Sequence, residues 1–328
     1  MFRRHWLQRC MAWGAVVVGG LTPAAALQAQ LLSDKPIRIV VPFGAGGVAD
    51  VTARIVGQQL SVQLGQSVVI ENKPSAGGIV AADTVVKSAP DGHTLFLMSN
   101  GSAVTVNMFK KLPFDMVKDL KPISTLGYFD IGVLSDASSP FHTLSDVVQF
   151  AYSNPGKLNI GSINVGSTQH LAAELLKSTA GIDAHIVPFN GTPAMTTALR
   201  GKQVDVAVEI LAPVAGQIEA KALKLLAVTG NERSVLLPHV PTAKEQGVEG
   251  FVAASWNALA VSARTPDAVV DQLHSAIAAA VNHPEVVRKL ALQHVHAQSS
   301  TPTQASQLLQ SEIQRWGQVI QDAGIPRQ

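Results

Sequence analysis

The stretch spanning residues 37–54, IRIVVPFGAGGVADVTAR, constrains this chain more than any other. Residues 37–41 are short, apolar and rich in β-branched side chains, which predicts a buried strand. Pro42 cannot donate to a ladder and so ends or edges that strand. Gly44, Gly46 and Gly47 follow, with Ala45 among them. Glycine adopts positive φ and lets a ligand approach backbone N–H groups. From Val48 the apolar residues Val48, Val51, Ile55, Val56 and Leu60 recur at helical spacing. A strand, a glycine loop and a helix N-terminus bring unpaired N–H groups and the positive end of a helix dipole to one spot. That is the outline of an anion site.

Two ligand readings of this loop compete with a bare tight turn. Gly44-x-Gly46-x-x-Ala49 fits a dinucleotide fingerprint, with Glu71 closing a second predicted strand at about the 20-residue spacing such sites use. Pro42-Phe43, however, interrupts the direct passage from strand to glycines. The other reading is a site for a smaller anion.

The first 29 residues read as a secretory leader rather than as part of the fold. Arg3, Arg4 and Arg9 form a positive region, residues 11–21 a short apolar one, and Ala24, Ala25, Ala26 and Ala29 offer small-residue cleavage sites. Arg3-Arg4 also hints at twin-arginine export, as a minority reading. The mature chain is expected to begin between Leu27 and Leu31 in a Gram-negative periplasm, away from cytosolic dinucleotides. It would lack cysteine, because Cys10 is the only one in the chain, and with it any disulfide or thiol nucleophile. It would keep 22 Lys and Arg against 23 Asp and Glu, a formal net charge of −1 instead of +2. With no basic run after the leader, nucleic-acid binding is not expected. A charged fraction of 15% against 47% hydrophobic residues describes a globular chain.

Along the 328 residues the pattern of strand, loop and helix repeats. Strands are predicted at 67–70 and 94–98, the second ending in the loop Ser99-Asn100-Gly101, with a helix at 79–88 between them. Such alternation predicts a parallel α/β sheet, with ligands outside the carboxyl ends of its strands. Residues 120–133 read as an extended crossing into a second domain, where the rhythm restarts. Strands at 158–163, 185–188, 204–210 and 223–228 alternate with helices at 144–152 and 169–179 and with one opened by Asn190-Gly191-Thr192-Pro193. Residues 256–263 read as the return crossing, and two helices opened by Thr265-Pro266 and Thr301-Pro302 close the chain.

The motif PFGAGGVADVTAR resembles the opening of the substrate-binding proteins of tripartite tricarboxylate transporters, the Bug family. Glu71-Asn72-Lys73-Pro74, Pro90-Asp91-Gly92, Gly166-Ser167, His170-Leu171, Val187-Pro188-Phe189 and Val240-Pro241-Thr242 continue the resemblance in order along nearly the whole mature chain. The resemblance implies a two-lobed type II periplasmic-binding-protein fold, with a ligand cleft between two Rossmann-like α/β domains. Domain 1 would comprise residues 30–126 and 251–328, and domain 2 residues 127–250. It further implies capture of a small carboxylate, no cofactor, a monomer, and delivery to the membrane permease subunits of the transporter. The first-lobe contact maps to Phe43, Gly44, Ala45, Gly46, Gly47 and, close by, Asp50. Departures from the family pattern fall at Ser75, His93, Asn164, Asn190 and Glu209.

Other candidate contacts come from the residues at loop and helix starts. Ser99 and Asn100 end a predicted strand, and Gly166, Ser167, Thr168 and His170 open a predicted helix. The bland readings are an N-cap for Ser167 or Thr168 and a structural histidine for His170. Asn190 opens the next helix, and Glu209 ends an otherwise apolar strand. The alternatives for Glu209 are a role in selecting the ligand, a place on the lobe surface, or pairing with Arg200 or Lys202. The competing function is an exported α/β enzyme acting on a small organic anion. No G-x-S-x-G, H-E-x-x-H or P-loop motif supports it, and no histidine cluster suggests a metal.

Overall fold

The strand β1, Ile37–Val41, is buried on both faces: Ile39 and Val41 pack toward one side and Val40 toward the other. This explains why four of its five residues are apolar, with Arg38, which pairs with Glu71 of the neighbouring strand, the exception. The computed structural model describes residues 35–234 and 236–328; the leader and Cys10 lie outside the described residues. After β1 come α1 (Val48–Leu64), β2 (Val68–Asn72), α2 (Ile79–Val86), β3 (Thr94–Ser99) and α3 (Asn100–Met108). β1 pairs in parallel with β2 and β3. Asn100 and Gly101, expected in a loop, instead open α3, because the chain enters the helix directly from Ser99.

β4 (Leu120–Asp136) is 17 residues long and joins the two wings of the sheet. The second wing follows: α4 (Leu144–Ser153), β5 (Leu158–Ile163), α5 (Thr168–Ala180), β6 (Ala184–Phe189), α6 (Thr192–Arg200), β7 (Val206–Ile210), α7 (Ala215–Glu219) and β8 (Leu223–Val228). The chain then returns through β9 (Ala254–Ser262), α8 (Asp267–Val281), α9 (Pro284–Ala291), β10 (Val295–Ala297) and α10 (Pro302–Asp322). Three helices and a short strand therefore follow the return, where two helices were expected. Pro284 explains the division, since it begins a fresh helix after Asn282 ends α8.

The strand order is β2-β1-β3-β9-β4-β7-β5-β6, with β8 and β10 also pairing with β4. The sheet is mixed, not purely parallel. β5 is parallel to β6 and β7, whereas β9 runs antiparallel to both β3 and β4, and β4 antiparallel to β7. The two crossing segments thus pair with each other, Gly127 opposite Asn257 and Tyr128 opposite Trp256. Glycine is required at this crowded strand: a Cβ on Gly127 would stand 2.8 Å from His296 O, and one on Gly132 2.5 Å from Leu225.

α1, α8 and α9 cover one face of the first wing with Val56, Leu60, Leu273, Ile277 and Leu290. The other face joins α2, α3, α5 and α10 around Phe96, Met98, Trp256 and Trp316. Each fully buried side chain of this size contributes roughly 1.5–3 kcal/mol over leaving it in water. Among the described residues no helix is long and apolar enough to cross a membrane.

Candidate functional site

β1 and β3 lie side by side and point the same way, so the loop after β1 and the start of α3 after β3 lie at the same end of the sheet. Asn100, the first residue of α3, donates from Nδ2 to Thr168 Oγ1 at 3.0 Å. Thr168 is the first residue of α5, directly after the β5–α5 loop. The β1–α1 loop, the start of α3 and the β5–α5 loop therefore lie at the strand ends where ligands bind in open α/β sheets.

In the β1–α1 loop, Phe43, Gly44, Ala45, Gly46 and Gly47 are all exposed. Gly46 has φ +85°, a backbone conformation that glycine adopts without a Cβ penalty. Gly47 caps α1 without a side-chain acceptor, leaving the N–H groups at the first turn available to an anion. Asp50 is 2% exposed and clamps the loop from below. Its Oδ2 accepts from Gly46 N at 2.8 Å and Arg54 Nε at 3.0 Å, and its Oδ1 from Asn72 Nδ2 at 2.9 Å. Asn72 Nδ2 also donates to Phe43 O at 3.0 Å. Burial pushes the Asp50 carboxyl up, but the Arg54 hydrogen bond, the Gly46 N–H and Asn72 outweigh it and hold the group below the usual carboxylate range. The carboxylate is thus committed to shaping the loop. Of its partners, Arg54 went unread although its i, i+4 spacing is a local signal, whereas Asn72 comes from β2.

The β5–α5 loop repeats this plan with different chemistry. Asn164 has φ +26°, which asparagine tolerates better than most residues, and Gly166 has φ +81°. A Cβ on Gly166 would lie 3.0 Å from Met108 Cε of α3, so the loop sits tightly against the first wing. Ser167 is the N-cap of α5: its Oγ accepts from His170 N at 3.1 Å and donates to Ile163 O at 2.5 Å. His170 is buried, and its Nδ1 faces Gly166 N at 3.5 Å, a long contact. Burial holds the imidazole below its ordinary value, with Glu174 pulling up and Lys177 pulling down, so the ring is neutral at neutral pH.

Glu209, at 0% exposure, lies behind this loop at the end of β7. It accepts from Gln169 Nε2 at 2.6 Å, Thr192 Oγ1 at 2.9 Å and Ile210 N at 2.8 Å. It is therefore neither a surface acid nor paired with Arg200 or Lys202. It ties the first turn of α5 to the start of α6, and burial raises its pKa despite the three donors. Asn190 stands exposed just before α6. Ser99 is buried and its N–H donates to Ser102 Oγ at 3.1 Å, while Asn100 is wholly buried. Gln169, a partner the sequence analysis passed over, carried no local signal, because its acceptor lies 40 residues away. Among the described residues no hydrogen bond joins the 43–47 loop to the 164–170 loop, and no group of three or more His, Cys, Asp and Glu could hold a metal.

Residues 52–325 match the tripartite tricarboxylate transporter family receptor, TctC. The chain belongs to this receptor family. Similar proteins include a UPF0065 protein of Bordetella pertussis, 36% identical over 309 residues that cover 94% of this chain and 95% of the relative. BugT of the same organism is 30% identical, covering 97% and 98%. Among solved structures, Rpa4515 of R. palustris with adipate superposes with a TM-score of 0.78 at 30% identity, covering 90% of this chain and 99% of that one. MatC of Rhodopseudomonas palustris with bound malate gives 0.73 at 31%, covering 87% and 99%. The mixed α/β architecture is therefore that of the periplasmic binding proteins, and this TctC receptor is a solute-binding protein by family.

Proposed function

We propose that this receptor captures a small organic acid outside the cytoplasm and delivers it to the permease subunits of a tripartite tricarboxylate transporter. The observation that carries the reading is the convergence of two loops and the start of α3 at one end of the sheet, one of the loops a glycine loop with an uncapped helix start. A carboxylate there would meet backbone N–H groups of residues 44–48 and the α1 dipole, and on the facing side the starts of α5 and α6. Adipate and malate, held by the two similar structures, are acids of the size in question. In this reading residues 1–29 direct export. Residues 30–126 with 251–328 form one lobe, 127–250 the other, and the paired segments 126–128 and 256–259 are the hinge on which they close.

The enzyme reading has no comparable support. Ser162 is fully buried in β5, and the Ser167 hydroxyl meets the backbone N–H of His170 rather than its ring. The test is protein purified natively from the periplasm, screened by thermal shift against small carboxylates and analysed by mass spectrometry. An unmodified acid that co-purifies or raises Tm is expected. Release of a chemically altered acid, or an intact Met1 on N-terminal sequencing, would contradict the reading.

A further inference from the structure

Trp316, in the middle of α10, lies 216 residues from Asn100 in sequence, yet its Nε1 donates to Asn100 Oδ1 at 2.7 Å. The same N–H is shared with Glu312 Oε2 at 2.8 Å. An indole N–H can only donate, so the end of the Asn100 amide that meets it must be the oxygen. The amide direction is thereby fixed by chemistry, and Nδ2 must face Thr168 Oγ1 at 3.0 Å. That NH2 group can also only donate, so the Thr168 oxygen accepts. The one hydrogen on the Thr168 hydroxyl is then turned away from Asn100. Trp316 and Asn100 are 0% exposed and Thr168 9%, so the one-way chain of donation runs outward and ends at the first residue of α5. Chains of this kind polarise in one direction.

We propose that Trp316, acting through Asn100, positions the Thr168 hydroxyl as an outward hydrogen-bond donor. Thr168 then presents its hydrogen to a ligand oxygen that can only accept, as a carboxylate does, while a ligand donor at that point meets just the hydroxyl's remaining lone pair. Trp316 and Asn100 are positioning residues for that hydrogen. The inference rests on the receptor reading above and deepens it, since it names the ligand group that one side chain takes.

The experiment has a ligand-free arm and a binding arm, both on the full chain. In the first, 15N spectra assign the Trp316 indole by its loss in Trp316→Phe. Asn100→Ala should move that indole signal, and Thr168→Val should move the Asn100 side-chain amide. Signals unmoved by these changes would overturn the relay, whatever the protein binds. In the second arm malate and adipate are the calorimetric probes. Thr168→Val should weaken whichever probe binds by about tenfold, the loss expected for one hydrogen bond to a charged group. Asn100→Asp keeps an acceptor toward Trp316 but offers Thr168 a second acceptor, which pulls its hydrogen back; a similar weakening is expected. The double variant should bind no worse than Thr168→Val alone. An equal loss on adding Asn100→Asp to the Thr168→Val background would show that the new charge, not the hydroxyl, was responsible. Should the buried carboxylate of Asn100→Asp prevent folding, Trp316→Phe in the two backgrounds makes the same comparison. Failure of wild type to bind either acid counts against the receptor reading for those acids, and the indole arm then decides the relay.

Discussion

In the β1–α1 loop the N–H of Gly46, at φ +85°, meets Asp50 Oδ2 at 2.8 Å; in the β5–α5 loop the N–H of Gly166, at φ +81°, faces His170 Nδ1 at 3.5 Å. Both loops thus set a left-handed glycine against a side chain four residues on, inside the first turn of the following helix. The acceptors differ. Asp50 is ionised and fixed by Arg54 and Asn72, so its bonds are charge-assisted. His170 is neutral and its contact is long, so order in the second loop comes from the Ser167 cap and from Glu209 behind it. One loop is shaped locally by a charge. The other is shaped at long range by a buried acid, and its start is pinned to the first wing through Asn100.

The largest expected effect falls on the first loop. Gly46→Val forces a β-branched residue to φ +85° and blocks backbone approach. Carboxylate affinity should fall by roughly 100-fold, equivalent to about 2.7 kcal/mol, while far-UV circular dichroism stays native. A folded variant that binds as wild type would remove this loop from the site.

The next concerns what holds each loop. Asp50→Ala leaves a half-buried guanidinium and buried donors without their acceptor and should cost about 2–4 kcal/mol in urea unfolding. His170→Ala, losing one long contact and some packing, should cost about 1–2 kcal/mol. Equal costs would erase the contrast between a charged and a neutral anchor.

The smallest effect is in pH dependence, where the acids of the two regions act with opposite sign. Asp50 has its folded pKa below the ordinary 3.8, so its contribution is present above that value and is lost as pH falls through the folded pKa. Glu209 has its folded pKa above the ordinary 4.5, so its contribution is complete below that value and is lost as pH rises through the raised pKa. Glu312, also raised by burial, acts in the same direction as Glu209. Urea midpoints taken across pH 3–8, a window set roughly by these ordinary values, should show Glu209→Gln flattening part of the decline above about 4.5 and leaving the acid limb alone. An unchanged slope above that value would place the Glu209 pKa at its ordinary position.

This contrast also explains what the sequence made legible. The β1–α1 loop could be read because its strand, glycines and helix periodicity all lie within one short stretch. The family resemblance rested on such local motifs. The antiparallel pairing of β4 with β9 joins segments more than 120 residues apart, so the rhythm of strands and helices suggested a parallel sheet where the sheet is mixed. For the same reason Asn100 and Glu209 were recognisable as polar residues at strand ends but not by partner. Trp316 and Gln169 carry no local signature of what they touch. α3 went unread because Asn100-Gly101-Ser102 looks like a turn, and its helix is held by packing against α10.

The proposed carboxylate site lies where the β1–α1 loop, the start of α3 and the β5–α5 loop converge. A crystal structure of the receptor grown with a small acid that raises its Tm tests this most directly. The expected result is a carboxylate group within hydrogen-bond reach of the backbone N–H groups of residues 44–48, with Thr168 Oγ1 facing an oxygen of the same ligand. Density for the acid elsewhere, for example in the groove of about 680 Å³ lined by Asp136, Thr192, Thr196, Arg200 and Gln217, would rule that site out.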